Sequence, residues 1–119
     1  MTVQSCLDRL KDFESYQQNW CDGNYGEPIN KDSINIAKHL ISNVKNHQYV
    51  FVYPTLSGGV EVSFIKYSRD ISIDIYTKPN SIDIWVDVFT DGSSDVNFIY
   101  ENIPYSCVEQ ITNFITKLL

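Results

Sequence analysis

Alanine is almost missing from this chain. Ala37 stands alone among 119 residues that include fourteen Ile and ten Asn. Such a bias fits an AT-rich genome, as in many phages, mobile elements and low-GC bacteria; it bears on origin and not on physics. Paired cysteines are missing as well. Cys6, Cys21 and Cys107 are odd in number, widely spaced and without a Cys-x-x-Cys, so they suggest neither a disulfide framework nor a zinc site. Cys6 and Cys107 fall in helical patterns and are expected as small buried hydrophobes. Cys21 has no basic neighbour to activate its thiol. No apolar run approaches the roughly 18 residues of a membrane span. The opening MTVQSCLDRLKDF has no apolar h-region, so a secretory signal is not expected and a cytoplasmic location is.

Signatures of chemistry are equally scarce. There is no G-x-S-x-G, no P-loop and no G-x-G-x-x-G. Gly58-Gly59 reads as a hairpin turn and not as a phosphate cradle. Asp22-x-Asn24-x-Gly26 opens like a calcium loop, but the position that needs a bidentate Glu is Ser33. His39 and His47 have no H-x-x-x-H spacing. Asp83 and Asp87 on one strand lie roughly 13 Å apart at strand rise, too far for a retaining glycosidase pair. The expectation is a non-enzymatic protein with no cofactor and no metal.

Positive charge is short in one region. The net charge is −6, and residues 48–104 hold three basic residues against eight acidic ones, which accounts for five of those six charges. The acids are Glu61, Asp70, Asp74, Asp83, Asp87, Asp91, Asp95 and Glu101. Direct nucleic-acid binding is disfavoured, because it needs basic groups to displace counterions from phosphates. A basic partner protein is favoured. Solubility is the plainer use of the same charge.

What is present is clear periodicity. Residues 5–17 repeat Leu7, Leu10, Phe13 and Tyr16 or Gln17 at helical steps, with Ser5 as the expected N-cap. NWCDGNYGEPIN (19–30) interrupts that helix with two Gly and a Pro. A second helix is expected from Lys31 to about Lys45. Asn30 is its N-cap, Ile29 and Ile34 form a hydrophobic staple, and Ile34, Ala37, Leu40, Ile41 and Val44 make its buried stripe. From residue 48 the period becomes two, giving strands near 48–54, 59–67, 70–77, 81–90 and 94–101. Hairpin-length connections pair them in succession, and Asp91-Gly92 is the strongest turn signal. A third helix closes the chain near 105–118, with a capping box over Ser106–Glu109 and an apolar face of Val108, Ile111, Ile115 and Leu118. The fold expected is α+β in a single domain, 1–119: two N-terminal helices, an antiparallel five-stranded meander and a C-terminal helix packed on one face.

Trp20, Asp22, Gly23, Gly26, Pro28 and Ile29, followed by Pro54, Thr55, Gly58 and Gly59, carry a resemblance. The segment resembles that of small uncharacterised bacterial and phage proteins with N-W-D-G-x-G-[AS]-x-P-I after a first helix, then a P-T-x-x-G-G hairpin and a β-meander. It spans roughly residues 10–65. Cys21 between Trp and Asp, and Glu27 in place of a small residue, depart from that pattern. The resemblance implies a fold and no activity. Read from the residues alone, the loop is a helix connector: its glycines permit positive φ, Pro28 fixes the entry to the second helix and Trp20 plugs the gap between helices.

One surface stands out. In ISIDIYTKPNSIDIWVDVF (71–89) the Ile and Val residues point to one side, and Asp74, Tyr76, Asp83, Trp85, Asp87 and Phe89 to the other. A solvated sheet face normally shows Thr, Lys and Ser. Reversing the faces would bury Asp83 and Asp87 unpaired at several kcal/mol each. With Glu61 added, the face is expected to be a recognition surface. Aromatics supply contact area with little entropy loss, and carboxylates steer a basic partner. The first expectation is a phage or mobile-element inhibitor of host defence, such as an anti-CRISPR protein, blocking a basic nucleic-acid-binding surface. Alternatives are an immunity protein or antitoxin against a basic toxin, and a small-ligand (nucleotide) binding dimer formed through the sheet face.

Overall fold

In the computed structural model, residues 2–119 are described, and of Ser94 and Asp95 only the backbone. Met1, and the side chain of Asp95 counted in the acidic segment, lie outside that description. The order is α1 (Val3–Phe13), α2 (Lys31–Asn43), β1 (Tyr49–Pro54), β2 (Val60–Lys66), β3 (Arg69–Lys78), β4 (Ser81–Thr90), β5 (Ser93–Ile103), a 3-10 turn (Tyr105–Cys107) and α3 (Val108–Leu118). The five strands form one open antiparallel sheet in sequence order, which is the α+β architecture expected. No helix among the described residues is long and apolar enough to cross a membrane.

Alternation decides which face of the sheet meets the helices. Ile71, Ile73, Ile75, Ile82 and Val86 are fully buried, Ile84 and Val88 nearly so. Residues directly opposite on antiparallel strands share a face, so register extends these rows across the sheet. Val52, Val62, Ile73, Val86 and Phe98 stand in one line; Val50, Phe64, Ile71, Val88 and Val96 stand in the next. Leu10, Phe13, Ile34, Ala37, Leu40, Ile41, Ile111 and Ile115 cover them from the helices. Burying a side chain of this size contributes about 1.5–3 kcal/mol, so the Ile/Val rows dominate the favourable side of folding.

The helix ends depart from expectation at both ends of α1 and at the start of α3. Thr2, not Ser5, caps α1: its hydroxyl accepts from the Ser5 N–H at 3.0 Å, and the Ser5 hydroxyl accepts from the Thr2 N–H at 2.9 Å. The cap thus lies one turn earlier than expected and forms a capping box, and α1 stops at Phe13, leaving Tyr16 in the following turn. At α3 the Ser106–Glu109 box does not form. A 3-10 turn precedes α3, no side chain caps Cys107, and the Glu109 carboxylate lies 2.6 Å from His39 Nε2 on α2. The 3-10 turn replaces the capping geometry, and the Glu109 side chain is directed toward α2. Cys6 is buried, while Cys107 is only half-buried.

Asn30 caps α2 as expected and does more. Its Oδ1 accepts from the N–H groups of Asp32 at 2.9 Å and Ser33 at 3.3 Å, and from the Thr77 hydroxyl on β3 at 2.6 Å. Asn30→Ala is therefore expected to cost about 1–2 kcal/mol, whereas Ser106→Ala should stay within about 0.5 kcal/mol. Urea unfolding of the two variants checks this; equal losses would contradict the capping assignments.

Candidate functional site

The face turned away from the helices is built by the same register. Tyr53, Glu61, Asp74, Trp85 and Ile99 are successive cross-strand partners, one from each of the five strands. The adjacent line is Phe51, Ser63, Ser72, Asp87 and Asn97. Tyr49, Ile65, Asp70 and Phe89 form a third. Tyr76 and Asp83 pair at the other end of β3 and β4. No helix covers these residues: Trp85 is 42% exposed, Tyr53 43%, Tyr49 57% and Ile99 61%. Tyr76 packs against Trp85 with ring centroids 5.2 Å apart.

The carboxylates on this face have different situations. Glu61 accepts from the Ser72 hydroxyl at 2.6 Å, Asp70 from Ser63 at 2.5 Å, and Asp87 from the Asn97 amide at 2.6 Å. Each neutral partner orients a carboxylate without cancelling its charge. The Asp74 carboxylate, between Glu61 and Trp85, has no side-chain hydrogen bond among the described residues. Partial burial, then the nearby Glu61 and Asp87, pushes its pKa up to about 6. No ion pair among the described residues reaches Glu61, Asp74 or Asp87.

Asp83 differs, although alternation alone groups it with the others. It accepts the Asn102 backbone N–H at 2.9 Å and pairs with Lys78 Nζ at 2.9 Å; its side chain is 14% exposed. These partners hold its pKa below the ordinary carboxylate range, with the Asn102 bond the larger cause. Asp83 anchors β5 where the register shifts between the Ile82 and Ile84 pairings. Its charge is matched within the chain.

Of the predicted residues, Glu61, Asp74, Trp85 and Asp87 come together at the centre of the open face, with Tyr76 beside them and Phe89 one line away. Sequence reading missed Tyr49, Phe51 and Tyr53 on β1 and Ile99 on β5. The alternation in 48–54 and 94–101 held that signal, but joining it to the central strands requires the register.

The Trp20 segment sits elsewhere, between α1 and α2. Trp20 Nε1 donates to the Glu27 carbonyl at 2.6 Å, and its ring meets Tyr16 with centroids 5.2 Å apart. Gly26 (φ 107°) passes under that ring; a Cβ there would lie 2.5 Å from Trp20 Nε1. Asp22 and Gly23 take positive φ in the exposed turn bridged by Cys21 and Tyr25. Glu27 N–H donates to the Leu56 carbonyl and Asn30 N–H to the Gly58 carbonyl, each at 2.8 Å, so the loop docks onto the β1–β2 turn. Pro28 is exposed just before Ile29 enters the core.

Depressions lie elsewhere on the surface, one of them bordered by Tyr76 at the edge of the open face. An apolar groove of about 280 Å3 runs between β5 and α3, lined by Ile84, Tyr100, Ile103 and Phe114, with Cys107 at its side. A polar one of about 310 Å3 lies between the Glu27–Asn30 segment and the β1–β2 turn. No group of three or more His, Cys, Asp or Glu among the described residues could hold a metal. No protein-family model, no curated protein and no solved structure matches the chain.

The raised pKa of Asp74 has a thermodynamic sign. Between the unfolded value near 3.8 and the folded value near 6 the native state holds the extra proton, so stability falls as pH rises through this window. Asp74→Asn should stabilise the protein at pH 7.5 by on the order of 1–2 kcal/mol, allowing for solvent screening at a half-buried site. The gain should vanish by about pH 4. Urea unfolding across pH checks it; a pH-independent difference would contradict the account.

Proposed function

We propose that this protein is a non-enzymatic binding module whose open sheet face seats a basic protein. The observation that carries this reading is the line Tyr53–Glu61–Asp74–Trp85–Ile99, in which carboxylates without cationic partners among the described residues lie between exposed aromatic and aliphatic side chains. Such a surface costs stability, because like charges on adjacent strands repel. A partner presenting Lys or Arg removes that cost. The rings supply desolvated contact area, and the carboxylates raise the encounter rate and fix the register of docking.

In its fuller form the reading is an inhibitor from a phage or mobile element, acting in the host cytoplasm. It would cover the nucleic-acid-binding surface of a host defence protein, a CRISPR effector among the candidates. What supports this is the small acidic chain, its Ile- and Asn-rich, Ala-poor composition and the absence of catalytic motifs. Neutralisation of a basic toxin by an immunity protein requires the same surface, and a toxin gene beside its own would select that reading.

The test compares capture from host lysate by the native chain and by a folded variant carrying Trp85→Ala, Asp74→Lys and Asp87→Lys. Asp83 stays unchanged because its bonds are internal. A basic protein retained by the native chain and lost at least about 100-fold by the variant is expected, since buried interfacial charge pairs and aromatic anchors cost 2 kcal/mol or more each when removed. Equal retention by both would overturn the proposal.

A further inference from the structure

The two sequence segments that the binding face leaves unused meet in space. Glu27, Pro28 and Asn30 come from the loop after α1; Ser57 and Gly58 come from the β1–β2 turn. With Tyr76 and Thr77 from β3 they wall the polar cavity of about 310 Å3. We propose that this cavity binds a neutral, hydroxyl-rich ring of monosaccharide size.

Close backbone approaches build the cavity. Gly58 (φ 88°) sits so near the loop that a Cβ would fall 2.8 Å from the Pro28 carbonyl oxygen. At Gly59 a Cβ would lie 2.8 Å from the Tyr76 ring. The bonds Glu27 N–H to Leu56 O and Asn30 N–H to Gly58 O, both 2.8 Å, tie the two walls together. The floor is equally fixed. Ser33 Oγ lies 3.0 Å from Thr77 Oγ1, which donates to Asn30 Oδ1 at 2.6 Å. A site held by backbone and internal hydrogen bonds loses little entropy when it binds.

The free bonding groups define the ligand. Asn30 commits its carbonyl oxygen to three donors, which leaves its NH2 as a donor without a protein partner among the described residues. The Glu27 carboxylate and the Tyr76 hydroxyl likewise have no side-chain partner among them. Ser57 has only a long contact of 3.4 Å to Thr55. A carboxylate and an amide accept and donate in a fixed pattern, while hydroxyls rotate to do either. That mixture matches the alternating donors and acceptors of ring hydroxyls. Pro28 and the Tyr76 ring offer apolar surface to the C–H side of such a ring. No cationic side chain lines the cavity and the Glu27 carboxylate borders it, so phosphates and carboxylates meet a like charge there and a nucleotide is disfavoured.

The test is a titration of the 15N-labelled full chain with D-glucose, D-galactose, N-acetyl-D-glucosamine and myo-inositol, each to about 20 mM, where millimolar binding is visible. Sulfate and AMP serve as anionic controls. At least one ring is expected to shift the Asn30, Ser57, Gly58 and Thr77 amides while the anions leave them unmoved. Glu27→Ala, an exposed change that leaves the core intact, should weaken that binding at least about tenfold, as loss of a charged hydrogen-bond partner does. Ser57→Trp, which covers the mouth, should abolish it. Neither change touches the central row of the acidic face, so failure here leaves the protein-binding proposal standing. Absence of shifts with all four rings would overturn the inference, as would shifts that persist unchanged in both variants.

Discussion

Burial of one face of the central hairpin organises this molecule. Ile71, Ile73 and Ile75 on β3, with Ile82, Ile84, Val86 and Val88 on β4, are removed from water under the helices. Because side chains alternate along a strand, that burial leaves no choice for the residues between them. Asp74, Trp85 and Asp87 must face outward, and a slip of one residue would bury carboxylates at a cost no partner offsets. The same constraint propagates by register to Glu61 on β2 and Ile99 on β5. The acidic-aromatic surface is thus as strongly specified as the core.

The surface contributes little to holding the fold together. Its side-chain hydrogen bonds run from neutral Ser and Asn to Glu61, Asp70 and Asp87, orienting those charges without neutralising them. Asp83 shows the contrast. Where a carboxylate serves the fold, the chain supplies Lys78 and the Asn102 N–H; where none does, Glu61, Asp74 and Asp87 stand together at the centre. Like charges retained beside exposed rings cost the fold stability, and the proposed binding role rests on that cost.

Much of this was legible in the sequence. Period-two alternation and short turns gave the meander, and Asn30 with Ile29 and Ile34 gave the start of α2. The misses have local physical causes. Thr2 and Ser5 are both competent caps, and because each bonds the other's backbone N–H the helix starts at Val3, ahead of Ser5. Ser106–Glu109 has the form of a capping box, but Tyr105–Cys107 forms a 3-10 turn and Ser106 is not at the N-cap of α3. The central acidic residues followed from alternation alone, whereas the separation of Asp83 from them depends on the bulge in β5 and a hairpin lysine. Tyr53 and Ile99 joined the site only through strand register, which one strand's pattern does not encode. The polar cavity needed the docking of two segments distant in the chain.

Hydroxyl-radical footprinting of the captured complex tests the central claim most directly. Trp85, Tyr53 and Ile99 report on the open face, while Tyr25 and Tyr67, 64% and 78% exposed, lie off the three open-face rows and serve as internal references. The account predicts that the partner protects Trp85, Tyr53 and Ile99 and leaves Tyr25 and Tyr67 as reactive as in the free protein. Unchanged labelling at Trp85, with protection centred on Tyr25 or Tyr67, would contradict it.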